Sequence, residues 1–205
     1  ARFPDASNKL LLLVHGLWMH APALFYWARQ LRRAGFEPVY FSYKSLLEGP
    51  DSALARLRLA ALEMPDTHIL AHSLGGLVAL KALAGESGFA GHIICVGSPL
   101  AGSRTARAMA SHHIGRMAGR SLPMLCQGLQ QVPEGLKVSA IAGTKPKGLG
   151  RLLQRFDEPS DGTVALSETK IPGLQRHLTV PVSHSGQLFS KTVVQQVLGL
   201  LKSPV

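Results

Sequence analysis

Ser73 has the neighbours that a nucleophilic serine needs. It stands in Ala71-His72-Ser73-Leu74-Gly75-Gly76, after the apolar run Thr67-His68-Ile69-Leu70 and before the helix-like run Leu77-Val78-Ala79-Leu80-Lys81-Ala82-Leu83. A strand that passes directly into a helix must turn sharply, and the turn holds its central residue at strained backbone angles. Only small side chains fit two positions either side, and Ala71 and Gly75 are small. The turn lifts the hydroxyl clear and aims the following backbone N–H groups at one point. That combination suits attack on a carbonyl with stabilisation of the oxyanion that forms. A serine hydroxyl is a weak nucleophile at neutral pH. It also needs a base to take its proton and a carboxylate to hold that base in the right tautomer.

The stretch resembles the nucleophile elbow of the α/β-hydrolase superfamily, G-x-S-x-G, with Ala71 in place of the first glycine, as in some small bacterial lipases. A second element strengthens the likeness. Lys9-Leu10-Leu11-Leu12-Leu13-Val14 reads as a buried strand and runs into His15-Gly16-Leu17-Trp18. Lipases and esterases use an H-G-x element there for half of the oxyanion hole. The resemblance therefore implies that the backbone N–H of Leu17 joins that of Leu74 around the substrate oxyanion, while His15 shapes the loop.

The superfamily supplies its residues in the order serine, acid, histidine. Past Ser73 the histidines are His92, His112, His113, His177 and His184. His92 opens a strand, His112 and His113 lie in an irregular region, and His177 precedes the last strand at the wrong end of the sheet. His184 follows that strand and precedes the final helix, on the edge where Ser73 also sits. Val182-Ser183-His184-Ser185-Gly186 looks like the catalytic-histidine loop of lipases. The acid candidates are Asp157, Glu158, Asp161 and Glu168. Ser160-Asp161-Gly162-Thr163-Val164 is similar to the lipase segment S-D-G-x-V, which favours Asp161, with Asp157 second. Gly97-Ser98-Pro99-Leu100-Ala101-Gly102-Ser103 resembles a G-[ST]-P-x-x-G-[ST] stretch that walls the cleft in related hydrolases.

The elements that must position these residues alternate. Strand signals fall at 10–14, 38–43, 68–72, 92–96, 138–142 and 178–182, and helix signals at 22–34, 52–64, 73–84 and 186–202. Several strands are continuous apolar runs, as expected where helices cover both faces of a parallel sheet. The expected fold is a single α/β domain over 1–205: a minimal, mostly parallel six-stranded sheet of the α/β-hydrolase type. Gly35 and Pro65 are credible helix stops. Segment 101–132 fits the strand–helix rhythm least. The superfamily often carries a cap or lid there, and a packing helix with a loop fits the residues equally.

The chain of 205 residues carries a net charge of +10, and +8 of it belongs to 98–156, where nine Lys/Arg face only Glu134. An anionic partner is therefore sought at Arg104, Arg107, Lys145, Lys147, Arg151 and Arg155, which follow strand ends on the active-site edge. An anionic lipid surface or anionic substrate fits this rim. Nucleic acid is not expected, because Phe156 is the only aromatic side chain there and base stacking needs more. Two cysteines make neither a disulfide framework nor a zinc site. Gly148-Leu149-Gly150 is no phosphate loop, and His112-His113 has no acidic or cysteine neighbours to complete a metal site. No cofactor and no metal are expected. No leader-like or membrane-spanning run is visible, and a cytoplasmic location is the expectation.

The reading that follows is a serine hydrolase of carboxylic esters, similar to lipases and esterases, working through Ser73, Asp161 and His184. A thioesterase or acyltransferase with the same three residues is the alternative, because pocket walls and not the triad choose the leaving group. A non-catalytic binder of anionic surfaces or nucleic acid is the alternative of another class.

Overall fold

The computed structural model describes residues 10–64, 66–112, 114–147 and 155–202. Its strands are β1 Leu10–Val14, β2 Glu37–Phe41, β3 His68–His72, β4 His92–Val96, β5 Lys137–Gly143 and β6 Arg176–Val180. They form one sheet in the order β2-β1-β3-β4-β5-β6, and every neighbouring pair is parallel. The helices are α1 Phe25–Arg33, α2 Pro50–Leu62, α3 Leu74–Leu83, α4 Arg104–Ser111, α5 Leu122–Gln127 and α6 Lys191–Lys202.

Alternation along the strands divides the core in two. Leu12 and Val14 of β1, Ile69 and Ala71 of β3, and Ile93 and Cys95 of β4 pack with Leu57, Leu77 and Leu80 of α2 and α3. Their neighbours Leu11, Leu13, Leu70, Ile94 and Val96 pack with Trp27 and Leu31 of α1 and Val193 and Val197 of α6. Successive side chains of a strand point to opposite faces, so runs that are apolar throughout serve both layers. This is why β1, β3 and β4 were readable as largely apolar stretches.

The departures from the sequence expectation have local causes. The strand signal at 178–182 becomes Arg176–Val180. Pro181 has no N–H to continue a ladder, and the chain bends there, with the Val182 N–H donating to Val180 O at 2.8 Å. The run 186–202 divides at Ser190, whose backbone is extended (φ −87°, ψ 121°). Ser185–Phe189 is a 3-10 turn, and Ser190 Oγ accepts from Val193 N at 3.3 Å as α6 begins. Another 3-10 turn, Ala21–Leu24, replaces the expected start of α1. Pro38 sits on β2, an edge strand, where a missing N–H is tolerated. Pro65 lies outside the described residues. Among the described residues, no helix is long and apolar enough to cross a membrane.

The strand order fixes where a site can form. From β1 the chain steps outward to β2, and from β3 it runs the other way through β4, β5 and β6. The connections leaving β1 and β3 therefore diverge, opening a crevice beyond the C-terminal ends of these two neighbours. His15-Gly16-Leu17 follows β1 and Ser73 follows β3.

Candidate active site

Ser73 occupies the turn between β3 and α3 with φ 53° and ψ −123°. Positive φ is rare for a residue with a side chain and costs on the order of 1–3 kcal/mol. The turn is pinned on both sides: Ser73 N–H donates to Val96 O at 2.9 Å, and Ser73 O accepts from Gly76 N at 3.1 Å. Gly75 is required by close approach, since a Cβ there would stand 2.6 Å from Val14 O and 2.7 Å from His15 O. The first helix turn thus lies directly against the chain leaving β1.

The other wall of the crevice is the β1 loop. Gly16 packs so closely that an added Cβ would meet Ser73 Cβ at 3.0 Å. His15 is fully buried and is bound at both ring nitrogens. Nδ1 donates to Gly16 O at 2.9 Å, and Nε2 accepts from Tyr43 N at 3.4 Å. Its ring stacks on Tyr43, whose hydroxyl donates to His15 O at 2.9 Å. Burial lowers the His15 pKa, so the imidazole stays neutral and holds the loop in shape. Neither Leu17 N–H nor Leu74 N–H donates to any acceptor among the described residues. Leu74 is also the first residue of α3, where the helix dipole favours negative charge.

Three side chains form a hydrogen-bonded line. Ser73 Oγ lies 3.0 Å from His184 Nε2, and His184 Nδ1 lies 2.7 Å from Asp161 Oδ2. A carboxylate only accepts, so Nδ1 carries the proton and Nε2 is free to accept from the serine hydroxyl. Asp161 is 1% exposed. Its other oxygen, Oδ1, accepts from Thr163 N at 2.9 Å and Val164 N at 2.8 Å. Burial works against the charge, but the His184 imidazole and these two N–H groups outweigh it and hold the carboxyl below its usual range. His184 N–H also donates to Asp161 O at 2.9 Å, which ties the two loops together.

The other sequence candidates lie elsewhere. Glu158 and Glu168 are both bonded to Arg104. Glu168, 4% exposed, also accepts from Ala165 N. Asp157 is exposed and makes no bond to His184. His92 Nε2 meets Ser139 Oγ, and His177 Nε2 meets Thr169 Oγ1. His112 is exposed, and His113 lies outside the described residues. Sequence reasoning missed two groups beside the line of three. His72 is buried with its ring 4.8 Å from that of His184, and its Nε2 donates to His184 O at 3.2 Å. Gln187 Nε2 donates to Asp161 Oδ2 at 2.9 Å. Among the described residues, no group of three or more His, Cys, Asp or Glu is arranged to hold a metal ion.

His72 makes stability pH-dependent. Burial, with His184 adding to it, lowers its pKa to about 3. The unfolded chain takes up this proton near pH 6.5, whereas the folded chain resists it until about pH 3. Stability is therefore full above about pH 6.5 and is lost as pH falls through this window, on the order of 5 kcal/mol if all of it is crossed. His92, lowered by burial to about 4, and Asp161 act in the same direction. Thermal unfolding should show a falling Tm from pH 7 to pH 4.5, and His92→Gln should flatten part of that fall. An unchanged Tm across the range would refute it.

Segment 101–132 forms α4, a 3-10 turn at Gly115–Ser121, and α5. Ala106, Met109, Ala118, Met124 and Leu125 are buried. Ser121 Oγ donates to Ser45 O at 2.7 Å, and Trp18 Nε1 donates to Met117 O, so the segment is seated on the loops after β1 and β2. The expected basic rim is thinner than its residue count. Arg104 is consumed by Glu158 and Glu168, and Arg107 Nη1 donates to Cys126 O at 2.7 Å. Lys145 and Lys147 are exposed and pair with no carboxylate among the described residues, and Arg151 lies outside the described residues.

The sequence matches the alpha/beta hydrolase family over residues 11–185. No curated protein matches it. Among solved structures, a mature Bacillus licheniformis lipase superposes with a TM-score of 0.80 at 20% identity, covering 97% of this chain and 94% of that one. A structure from a study of carboxylesterases of Nitrososphaera gargenis gives 0.65 at 16%, covering 97% and 92%. The Legionella pneumophila phospholipase PlaB gives 0.67 at 13%, covering 94% of this chain and 57% of that one. At these identities the likenesses speak for the fold, and the family match over most of the chain decides membership: this chain belongs to the alpha/beta hydrolase family.

Proposed function

We propose that the protein is a serine hydrolase of carboxylic esters. The observation that carries this reading is the unbroken line from Ser73 Oγ through His184 to the buried Asp161 carboxylate. Ser73 Oγ attacks the ester carbonyl as its proton passes to His184 Nε2. The carbonyl oxygen becomes an oxyanion facing the unengaged N–H groups of Leu17 and Leu74. Collapse of this intermediate expels the alcohol, which takes the proton from His184, and leaves an acyl group on Ser73. Water then gives a proton to His184 and attacks the acyl carbon. The second collapse releases the acid and returns the proton to Ser73. Asp161 holds the imidazole in its tautomer and stabilises the imidazolium throughout. A fluorophosphonate probe should label Ser73, and p-nitrophenyl esters of increasing acyl length should be hydrolysed. A parallel thioester series reads the alternative leaving group. Folded protein that labels at another serine, or not at all, would overturn the reading.

The substrates we propose are acyl esters presented at an anionic lipid surface. Beside the crevice Trp18 is 50% exposed and Met117 56%, and the flanking Arg116 and Arg120 are exposed and pair with no carboxylate among the described residues. Well-placed cations add about 1 kcal/mol each at an anionic membrane. Reversing Lys145 and Lys147 to glutamate should weaken activity on anionic vesicles at low salt and leave activity on a neutral soluble ester intact. An equal response on both substrates reduces these lysines to a solvated face.

A further inference from the structure

Asp161 Oδ2 accepts from two side chains, His184 Nδ1 and Gln187 Nε2. Gln187 has no accessible surface, although glutamine is mostly an exposed residue. Its backbone is held on both sides: N–H donates to Ser183 O at 3.0 Å, and the carbonyl accepts from Trp27 Nε1 at 3.0 Å. Gly97 and Gly143, at the ends of β4 and β5, leave the slot that its amide fills. A Cβ on Gly97 would stand 2.2 Å from Oε1, and one on Gly143 2.5 Å from Nε2. Within this slot Oε1 makes no close hydrogen bond, and the side chain it interacts with is the His72 imidazole. A buried acceptor without a close donor costs stability, and an apolar side chain would fill the space without that cost. The amide's useful end is therefore its N–H.

Oδ1 is already fixed by two backbone N–H groups, so Oδ2 is the oxygen that serves the imidazole. A second donor on Oδ2 stops the carboxylate from rotating and draws charge away from the bond to His184. We propose that Gln187 is a positioning residue that limits how strongly Asp161 holds the His184 proton, keeping the imidazole available as a base at lower pH. The proposal rests on the acid and base roles given above. Among the described residues, the titratable groups facing the pair are few. His72 comes from β3 and is neutral throughout the working range. Ser73 comes from the elbow. Lys145 and Lys147 stand behind the acid loop, whose Gly162 packs on the Lys147 backbone. From α1 the facing group is Trp27, which does not titrate.

The test compares wild type, Gln187→Met and Gln187→Glu. Methionine fills the slot without a donor. The acid limb of the kcat/KM profile should then move to higher pH by about half to one unit. kcat should fall about tenfold with KM unchanged, as expected for lost orientation of the base. The His184 Nδ1 proton resonance should move further downfield as its bond to Oδ2 strengthens. Glutamate beside the Asp161 charge is held protonated and donates its O–H to Oδ2. It should recover most of the loss near neutrality and fall away through an alkaline limb absent from wild type, as both carboxyls ionise. Wild-type profiles and an unmoved resonance in both variants, with only Tm lowered, would make Gln187 a filler and overturn the proposal. If the methionine variant does not fold, the glutamate variant decides alone: no alkaline limb refutes it. The resonance needs no substrate, so a wild type inactive on every ester would sink the functional reading while Gln187 is still judged.

Discussion

Ser73→Ala is expected to lower ester turnover by roughly 10⁵–10⁶-fold, the scale found when a serine hydrolase loses its nucleophile. The substitution removes one atom. Among the described residues Ser73 Oγ bonds only to His184, and the bonds that hold the turn run through the Ser73 backbone. Alanine at φ 53° is as strained as serine, so Tm should stay close to wild type. What remains should exceed the reaction in water, because the Leu17 and Leu74 N–H groups would still face the carbonyl oxygen. Stopped-assay kcat and circular dichroism on the same preparation check both halves. A variant that keeps a tenth of its activity would mean that another group attacks, and fluorophosphonate mapping would then find it. Ser98 is a poor substitute, since it is buried with its Oγ only 2.3 Å from where a Cβ on Gly76 would be.

How much of this arrangement could be read from the sequence depended on the range of the forces involved. The elbow was legible because its constraint is local: a strand, a serine between small residues, a helix. The inner strands were legible because helices on both faces demand unbroken apolar runs. His184 followed from the order of elements, which places chain segments at one edge of the sheet without any contact being known. Asp161 was harder, since Asp157, Glu158, Asp161 and Glu168 crowd within a dozen positions. Arg104 separates them by binding Glu158 and Glu168 from 54 and 64 residues away, and no local pattern reports such a pair. The same pairing explains why the charge of 98–156 overstated the free basic surface. Gln187 was hidden for another reason. The helix signal ran unbroken over 186–202, and nothing in it set Gln187 apart. Ser190 breaks that helix, and the broken turn carries the amide inward.

Asp161→Asn should slow turnover by roughly 10⁴-fold with little change in fold, the loss seen when a triad carboxylate becomes an amide. The hydrogen bonds dictate why. Thr163 N and Val164 N both donate to Oδ1, so the asparagine carbonyl must take that side and its NH₂ must face His184 and Gln187. An NH₂ cannot accept from His184 Nδ1. The imidazole is then driven to the tautomer with its proton on Nε2, where it can no longer accept from Ser73 Oγ. Gln187 Nε2 would face the same NH₂, donor against donor. Stability should change modestly, because a buried charge disappears together with the bonds that satisfied it. Asp157→Asn is the companion measurement. Asp157 is exposed and does not touch His184, so its variant should keep wild-type kcat. If Asp157→Asn is the crippled enzyme and Asp161→Asn the mild one, the acid has been assigned to the wrong loop position, and the role given to Gln187 falls with it.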